Sequence, residues 1–306
     1  CNLRCQYCMP RELIPKLTHA DILTYEEILR VVKIGTQLGI TKVRVTGGEP
    51  LVRKGIFAFL KTLCGVKGLQ DVSLTTNGVT LEKHAGEIRD AGIKRLNISL
   101  DTLDRERFKQ ITGRDSFNRV WQGIMTAHEM GFKPLKINIV ALAGINADEL
   151  EKMAALTFEY PFHVRFIEHM PIGKNNIGVS GQLLTPDIKK KIASLGKLEP
   201  VEQELADGPA ERFKIEGARG EVGFISALSH HFCKSCNRLR LTAGGQLRPC
   251  LLSDQQVDLK RHLRGGVSDD ALAERFIEAV KLKQAHHGLT DHIPAKVTGQ
   301  MSSIGG

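Results

Sequence analysis

The chain has 306 residues and a formal net charge of +9, from 43 Lys and Arg against 34 Asp and Glu. Hydrophobic residues make up 42% and charged residues 25%, which excludes a disordered or fibrous chain. No apolar run approaches the roughly 18 residues of a membrane-spanning helix. The positive charge favours an anionic partner, but aromatic residues at 5% give a base-stacking surface little to build on. We therefore expect a small anionic ligand, with neither nucleic acid nor membrane as partner.

Helical and strand patterns alternate from residue 24 onward. Thr24 and Glu27 predict a capping box at the start of a helix that ends at Gly39. Strands are predicted over 42–48, 71–78, 95–101, 134–142 and 163–171. Helices are predicted near 55–64, 81–91, 118–130 and 147–158. Strands separated by helices predict parallel βα units, and an α/β barrel places its chemistry in the loops after those strands.

The alternation stops near residue 171. The segment PIGKNNIGVSGQ predicts a long loop, and TPDIKKKIASL predicts a short helix with Thr185 as its cap and Pro186 at its first position. Two strands that need not be parallel to the barrel follow, over FKIEG and GEVGFISAL, and a last helix is predicted near 269–283. We therefore predict a barrel region over residues 1–171 and a smaller C-terminal region over residues 172–306.

Six of the seven cysteines fall into two sets. Cys1, Cys5 and Cys8 form the first, with the spacing C-x3-C-x2-C. A zinc site is usually closed by a fourth ligand, and the nearest histidine is His19. Three thiolates suit a [4Fe–4S] cluster with one open iron, which can bind a substrate directly. We therefore favour an iron–sulfur cluster over zinc at this loop.

The second set has the spacing C-x2-C-x13-C and comprises Cys233, Cys236 and Cys250. A zinc ribbon with His230 or His231 as the fourth ligand is an alternative. Arg238 and Arg240 lie two residues apart, so they face the same side of an extended segment. They would aim at a common anion near the metal, which a structural zinc does not require.

The CxxxCxxC loop, followed by Gly47, Gly48, Glu49 and Pro50 after a strand, resembles the radical SAM superfamily. In that superfamily the open iron binds the amino and carboxylate groups of S-adenosylmethionine (SAM). In chain order the motifs of the closer resemblance are CQYCMP, RVTGGEPL, LTTNG, NISLD, RFIEHMP, CNRLRLT and MSSIGG. Over nearly the whole chain they resemble the GTP 3′,8-cyclase family, which starts molybdenum cofactor biosynthesis.

The resemblance implies an incomplete TIM-type barrel of the radical SAM kind over residues 1–171. It implies that residues 172–306 carry a second cluster, a GTP-binding segment and a Gly305–Gly306 tail that reaches the active site. Two [4Fe–4S] clusters are implied, one on Cys1, Cys5 and Cys8, the other on Cys233, Cys236 and Cys250. The implied catalytic residues are Cys1, Cys5, Cys8, Arg238 and Arg240.

The implied SAM contacts are Tyr7, Gly48, Ser99 and Met170. The implied GTP contacts are Arg44, Thr75, Lys136, Arg238, Leu239 and Arg240, with Arg165 as a further cation. Taken singly, Thr75 and Ser99 equally fit residues that satisfy local backbone groups, and Tyr7 and Met170 equally fit packing.

The implied reaction begins with one electron that cleaves SAM into methionine and a 5′-deoxyadenosyl radical. This radical takes the hydrogen at C3′ of GTP, and attack of C3′ on C8 of guanine gives 3′,8-cyclo-7,8-dihydro-GTP. The implied setting is cytoplasmic, with an unidentified reductant, the next enzyme of the pathway and a possible homodimer as partners. Two rivals stay open: a radical SAM protein acting on a peptide or RNA, and a zinc-dependent nucleic-acid-binding protein.

The sequence departs from the resembled family at one end. Family members have a stretch before the first cysteine that includes the first barrel strand and an arginine for the triphosphate. Because the sequence begins at Cys1, we expect the natural chain to begin earlier.

Overall fold

A computed structural model describes residues 1–9, 17–173, 181–202, 208–284, 297 and 299–305. The helices are α1 Tyr25–Gln37, α2 Ile56–Cys64, α3 Leu81–Asp90, α4 Arg105–Thr112, α5 Phe117–Glu129, α6 Leu150–Glu159, α7 Thr185–Ile192, α8 Leu259–Arg264, α9 Asp269–Lys281 and α10 Met301–Ile304. The strands are β1 Lys42–Val45, β2 Asp71–Thr76, β3 Leu96–Ser99, β4 Leu135–Ala141, β5 His163–Glu168, β6 Leu198–Pro200, β7 Glu211–Ile215, β8 Glu221–Ile225, β9 Arg240–Leu241, β10 Gln246–Arg248 and β11 Val257–Asp258.

The main sheet has eight strands in the order β1-β2-β3-β4-β5-β8-β7-β6. Strands β1 to β5 are parallel and follow one another, with helices between them, which confirms the predicted βα units. Strand β8 adds to β5 in parallel, whereas β7 and β6 are antiparallel. A second, antiparallel sheet has the order β11-β10-β9.

One face of the main sheet is apolar. Leu74 lies opposite Leu96, and Ile137 lies opposite Val164. These four side chains are fully buried, and they belong to the core that includes residues of α2, α3, α5 and α6. Because paired residues of parallel strands share a face, this register fixes the helices on one side of the sheet.

The opposite face of the sheet is polar. Its paired residues include Arg44 with Ser73, Asn97 with Lys136, and Asn138 with Arg165. The sheet curves over this face, since a Cβ built on Gly208, just before β7, would lie 3.9 Å from Arg44 Nη2. Strand β1 and the segment before β7 therefore approach one another across the polar side, as in a partial barrel.

The predicted start of α1 is confirmed. Thr24 Oγ1 accepts a hydrogen bond from the Glu27 N–H at 3.2 Å, and Glu27 Oε2 accepts one from the Thr24 N–H at 2.7 Å. The chain leaves the helix through Gly39, whose φ of 90° is in the left-handed region that glycine tolerates.

The predicted cap of α7 is wrong, because Thr185 is its first residue and Leu184 is its cap, which puts Pro186 second. The Thr185 N–H donates to Glu168 of β5, and the Thr185 hydroxyl accepts from Oγ of Ser226, which follows β8, so the hydroxyl does not cap its own helix. Most of the predicted loop before this helix lies outside the described residues.

A second apolar core joins α1 to the small sheet. Val31 and Ile34 of α1 are buried with Leu247 of β10, and Leu272 and Phe276 of α9 complete the cluster. The segment that carries the second cysteine set is therefore fixed against the helix that precedes β1. Across the described part of the chain, every helix is too short or too polar to cross a membrane.

The joint between β5 and β8 depends on Gly220. A Cβ at this position would lie 2.1 Å from Phe162 O and 2.8 Å from Phe162 N, because the backbone approaches closely before Glu221 pairs with His163. The predicted domain boundary at residue 171 lies between these two neighbouring strands, and the division stays a prediction.

We expect Gly220→Ala to lower the free energy of unfolding by at least about 3 kcal/mol, because no side chain rearrangement can relieve a clash with backbone. Urea unfolding followed by circular dichroism measures the change. Gly86→Ala is the matched control, since Gly86 is exposed in α3 with open space around it. This change should raise the free energy of unfolding by about 0.5–1 kcal/mol. Equal midpoints for the two variants would contradict the close approach.

Candidate active site

The first cysteine loop is fastened to α4. The N–H groups of Arg4 and Gln6 donate to Thr112 O and Ile111 O at 2.8 and 2.9 Å. Within the loop, the Cys8 N–H donates to Cys5 O at 3.0 Å, which forms a tight turn between two cysteines. The loop thus presents its cysteines from a turn with a fixed backbone.

Glu49 of the GGEP segment ties the ends of β1 and β2 together. Its buried carboxylate accepts hydrogen bonds from Leu51 N–H at 3.1 Å, Thr76 Oγ1 at 2.8 Å and Asn77 N–H at 2.7 Å. Burial raises the pKa of Glu49 above its ordinary value, although these donors oppose the rise. The sequence indicated this motif but not the role of its glutamate.

Asn77 connects this pair of strand ends to the first cysteine. Its side-chain amide donates to Asn2 Oδ1 at 2.7 Å and contacts Cys1 Sγ at 3.8 Å. Cys1 also lies against Gly48, where a Cβ would be 2.9 Å from Cys1 Cβ. Gly48 therefore admits Cys1 at a point where any side chain would displace it.

Tyr7 is held by Asp101, a residue that sequence reasoning missed. The Tyr7 hydroxyl donates to Asp101 Oδ2 at 2.7 Å, and Asp101 Oδ1 accepts from the Val140 N–H at 2.9 Å. Burial raises the pKa of Asp101 to about 6. Together with Ser99 and Cys5, these side chains line a cavity of about 30 Å³. Two predicted SAM contacts, Tyr7 and Ser99, therefore lie together at the cysteine loop. The sequence signal that could have revealed Asp101 is an acidic residue just after β3.

The thiols of the two sets differ electrostatically. Burial raises the pKa of Cys8 to about 11 and that of Cys5 further. Burial also raises the pKa of Cys236, but the N–H and charge of Arg238 and the ammonium of Lys283 outweigh it and bring that pKa below its ordinary value. A metal therefore displaces the proton of Cys236 more readily than those of Cys5 and Cys8.

The second cysteine set lies beside the small sheet. Cys233 and Cys236 bracket a single tight turn in which the Cys236 N–H donates to Cys233 O at 3.1 Å. Cys250 follows β10, and its sulfur accepts from the Leu252 N–H at 3.4 Å. The charge of Arg240 is felt by both Cys236 and Cys250, so the arginine lies near both.

Three arginines from distant parts of the chain share one space. Burial, together with the charges of Arg238 and Arg44, lowers the pKa of Arg240 to about 10. The pKa of Arg44 is also lowered, chiefly because the surrounding protein removes water from it, and next because of the charges of Arg238 and Arg95. Arg44 is exposed, so it lines an open cleft.

The segment between the arginines behaves as an extended strand. Arg238 and Arg240 face the same space, as their spacing predicts, and Arg238 lies 5.0 Å from the centre of the Phe232 ring. Leu239 packs instead against the core formed by α1, α9 and the small sheet. Its side chain therefore faces away from the space that the two arginines share.

The C-terminal segment enters the same region. Arg240 Nη1 donates to Gly305 O at 2.5 Å, and a Cβ on Gly305 would lie 3.3 Å from Thr46 Cγ2 at the end of β1. Ile304 of α10 is buried in a small cluster that Met170 and Cys250 also contact. Met170 thus lies near the second cysteine set, and Gly306 is outside the described residues.

The other predicted GTP contacts lie on the polar face of the sheet. Lys136 and Arg165 are buried at 6% and 2% exposure, and Thr75 is half-buried beside Asn97. Burial lowers the pKa of His163, their neighbour on β5, and the charges of Lys136 and Arg165 lower it further against the pull of Glu221. The sheet interior therefore has a strongly positive potential.

Glu168 is a second functional residue that the sequence did not reveal. At the end of β5 its carboxylate accepts from the N–H groups of Thr185, Leu228 and Ser229 at 2.8, 2.7 and 3.0 Å, and from the Ser229 hydroxyl. These residues begin α7 and lead towards Cys233. One carboxylate therefore positions the segment that carries the second cysteine set.

Among the described residues, no three His, Cys, Asp or Glu side chains gather closely enough to hold a single metal ion. Tetrahedral zinc with Zn–S bonds of about 2.3 Å would need sulfurs about 3.8 Å apart. In an iron–sulfur cluster each thiolate binds a different iron, so its sulfurs stand further apart. Within the part of the chain that the structure describes, a zinc site that includes His230 or His231 is therefore not preformed.

Comparison with known proteins gives matches along most of the chain. A family model described as the radical SAM superfamily matches residues 1–157, and one described as Molybdenum Cofactor Synthesis C matches residues 162–289. A protein from Thermodesulfovibrio yellowstonii named GTP 3′,8-cyclase is 47% identical over 100% of this chain and 94% of its own length. A protein of that name from Moorella thermoacetica is 45% identical over the same shares.

Solved structures resemble the fold. The crystal structure of Streptococcus suis SuiB bound to S-adenosylmethionine matches with a TM-score of 0.61 at 14% identity, over 85% of this chain and 61% of that chain. The structure of anSMEcpe with bound AdoMet matches with a TM-score of 0.51 at 21% identity, over 63% of this chain and 54% of that chain. The chain spans less than two thirds of either protein, and the likeness concerns the fold.

Proposed function

Because this chain belongs to the radical SAM superfamily and, within it, to the GTP 3′,8-cyclase family, we propose that it converts GTP to 3′,8-cyclo-7,8-dihydro-GTP. This lyase reaction is the first step of molybdenum cofactor biosynthesis. The superfamily implies a [4Fe–4S] cluster and SAM, which when bound supply a 5′-deoxyadenosyl radical that takes the hydrogen at C3′ of GTP.

The observation that carries the proposal is the group of arginines at the open side of the sheet. The charges of Arg238 and Arg44 lower the pKa of Arg240, and the charge of Arg238 lowers the pKa of Arg44, so a negatively charged ligand would relieve the repulsion among these three side chains. Arg240 is also near the sulfurs of Cys236 and Cys250. A ligand that combines a polyphosphate with a metal-binding base, such as GTP, fits this arrangement.

Cys1, Cys5 and Cys8 would hold the SAM-cleaving cluster. The contact between Cys1 and Asn77 and the fastening of the loop to α4 support a preformed site. SAM would lie near Tyr7 and Ser99, with Gly48 and Met170 as further contacts. The tie between Tyr7 and Asp101 supports this, because it orients an aromatic ring at the cavity that Ser99 lines.

Cys233, Cys236 and Cys250 would hold a second [4Fe–4S] cluster. The lowered pKa of Cys236 supports a metal-bound thiolate at this site. This site would bind guanine, with Arg238, Leu239 and Arg240 beside it. Since the Leu239 side chain is in the core, its contact would come from the backbone.

The triphosphate would lie along the polar face of the sheet. Arg44, Thr75 and Lys136 are the proposed contacts, and Arg165 is a further cation in the same interior. A low-dielectric, positively charged lining excludes bulk water and holds the ribose still while hydrogen is removed from it.

We further propose a cytoplasmic enzyme that receives electrons from a separate reductant and delivers its product to the next enzyme of the pathway. The acceptor of product must take an unstable dihydroguanine nucleotide, which favours prompt consumption. A homodimer is part of this proposal, and size-exclusion chromatography with light scattering tests it.

The first prediction concerns the cysteines. After anaerobic reconstitution the parent chain should bind about eight irons and no zinc, and Cys5→Ser about four. Cys5→Ser should also lose reductive SAM cleavage, measured as 5′-deoxyadenosine released. Cys64→Ser is the matched control, because Cys64 lies in α2 outside both sets, and it should retain the parent rate. Zinc in the parent, or cleavage at the parent rate by Cys5→Ser, would contradict the assignment.

A second prediction concerns the triphosphate. Arg44→Ala and Lys136→Ala should each weaken GTP binding by about ten- to a hundredfold, because each removes a charge-assisted contact of about 1.5–3 kcal/mol. Isothermal titration of the reconstituted protein measures GTP and SAM in parallel, and SAM affinity should barely change. Lys190→Ala removes the same charge from the exposed face of α7 and should leave both affinities unaltered. Parallel losses for GTP and SAM would instead indicate a folding defect.

A third prediction concerns the C-terminal glycines. The contact between Arg240 and Gly305 O supports a tail that enters the cleft, where residues without side chains pass close to β1. Deleting Gly305 and Gly306 should leave iron content and thermal stability intact while severely lowering cyclisation of GTP. Full turnover by the truncated protein would mean that the tail has no part in the reaction.

A further inference from the structure

The end of α9 brings one ammonium group to the second cysteine set. Lys283 Nζ lies 2.9 Å from Pro249 O, 3.0 Å from Arg238 O and 3.6 Å from Cys236 Sγ. An ammonium group has three N–H donors and no acceptor, so these three contacts use its full capacity. Lys283 is half-buried, and none of the sequence motifs drew attention to it.

The two carbonyls belong to the segments that carry different cysteines. Arg238 follows Cys236 by two residues, and Pro249 directly precedes Cys250. The β9–β10 ladder ends at the pair of Arg240 with Arg248, and Pro249 has no N–H with which to continue it. Lys283 bridges the two segments at the point where the strand pairing stops.

Lys283 lies two residues beyond the end of α9, and its N–H donates to Val280 O of that helix at 3.0 Å. The helix is firmly placed, because Leu272 and Phe276 are buried in the core shared with α1 and Arg30 Nε donates to Asp269 Oδ1 at 2.8 Å at its other end. The backbone that carries the donor is therefore anchored to a packed helix. The bridge therefore holds the cysteine segments to the packed core.

The remaining contact reaches the sulfur of Cys236. In iron–sulfur sites, hydrogen bonds to the ligand sulfurs and nearby charge set the reduction potential, and such outer partners also govern metal affinity. A cation donating to a thiolate stabilises the more negative, reduced state of a cluster. Arg238 also bonds to Cys236 through its backbone and side chain, so Lys283 is a second cation at this thiol.

We propose that Lys283 is a positioning residue of the second cluster, which holds Cys236 and Cys250 at their spacing and raises the cluster's reduction potential by donating to Cys236. The inference rests on the second cluster proposed above. It concerns the retention and the potential of that cluster and assigns no contact with GTP.

The test uses the full-length chain carrying Cys5→Ser, so that the second cluster dominates the measured signal. In this background Lys283→Met removes the charge and all three donors while keeping an unbranched side chain. We expect iron loss to a chelator to become about ten- to a hundredfold faster, and the midpoint potential in an EPR-monitored titration to become more negative. Lys281→Met is the matched control, since Lys281 is exposed at the end of the same helix, and it should change neither quantity.

Lys283→Arg keeps the charge and donor groups and should return the potential towards the parent value. If Lys283→Met does not fold, Lys283→Arg is compared with Lys283→Gln instead. Equal iron-loss rates and equal potentials in these two folded variants would refute the role of charge. Equal iron loss and equal potential in Lys283→Met and Lys281→Met would overturn the inference. A Cys5→Ser background that binds no iron would instead refute the second cluster itself.

Discussion

The parallel register of β1 to β5 is the constraint on which the site depends. Side chains alternate between the two faces of each strand, and paired residues share a face. Leucine and isoleucine therefore face the helices, whereas Arg44, Lys136 and Arg165 lie on the other face. A slip of one residue in β1, β4 or β5 would bury a cation among the helices and expose an apolar side chain to the cleft. The positive interior and the hydrophobic core are therefore two results of one pairing pattern.

Much of the first half of the fold could be predicted from the sequence, because its information is local. The capping box at Thr24 and the alternation of short β-branched runs with helical stretches indicate α1 and the parallel strands directly. The same local logic gave the common facing of Arg238 and Arg240, since alternation along an extended segment needs no knowledge of the rest of the chain.

The remainder depends on pairing between distant residues, which no short pattern encodes. Asp101 holds Tyr7 from 94 positions away, and Lys283 reaches Cys236 from 47 positions away. Strand β8 joins the sheet beside β5 because Gly220 lets two backbones meet, and nothing in the local sequence specifies that partner.

The carboxylate of Glu168 makes a cooperative unit of three separate parts of the chain. The amides of Thr185, Leu228 and Ser229 all donate to it. If one of these amides is released to solvent, the buried carboxylate loses a donor and is held less firmly by the others. We therefore expect these amides to open together in native-state hydrogen exchange, with one opening free energy. The start of α7 and the approach to Cys233 would then share one unit of local stability with the end of β5.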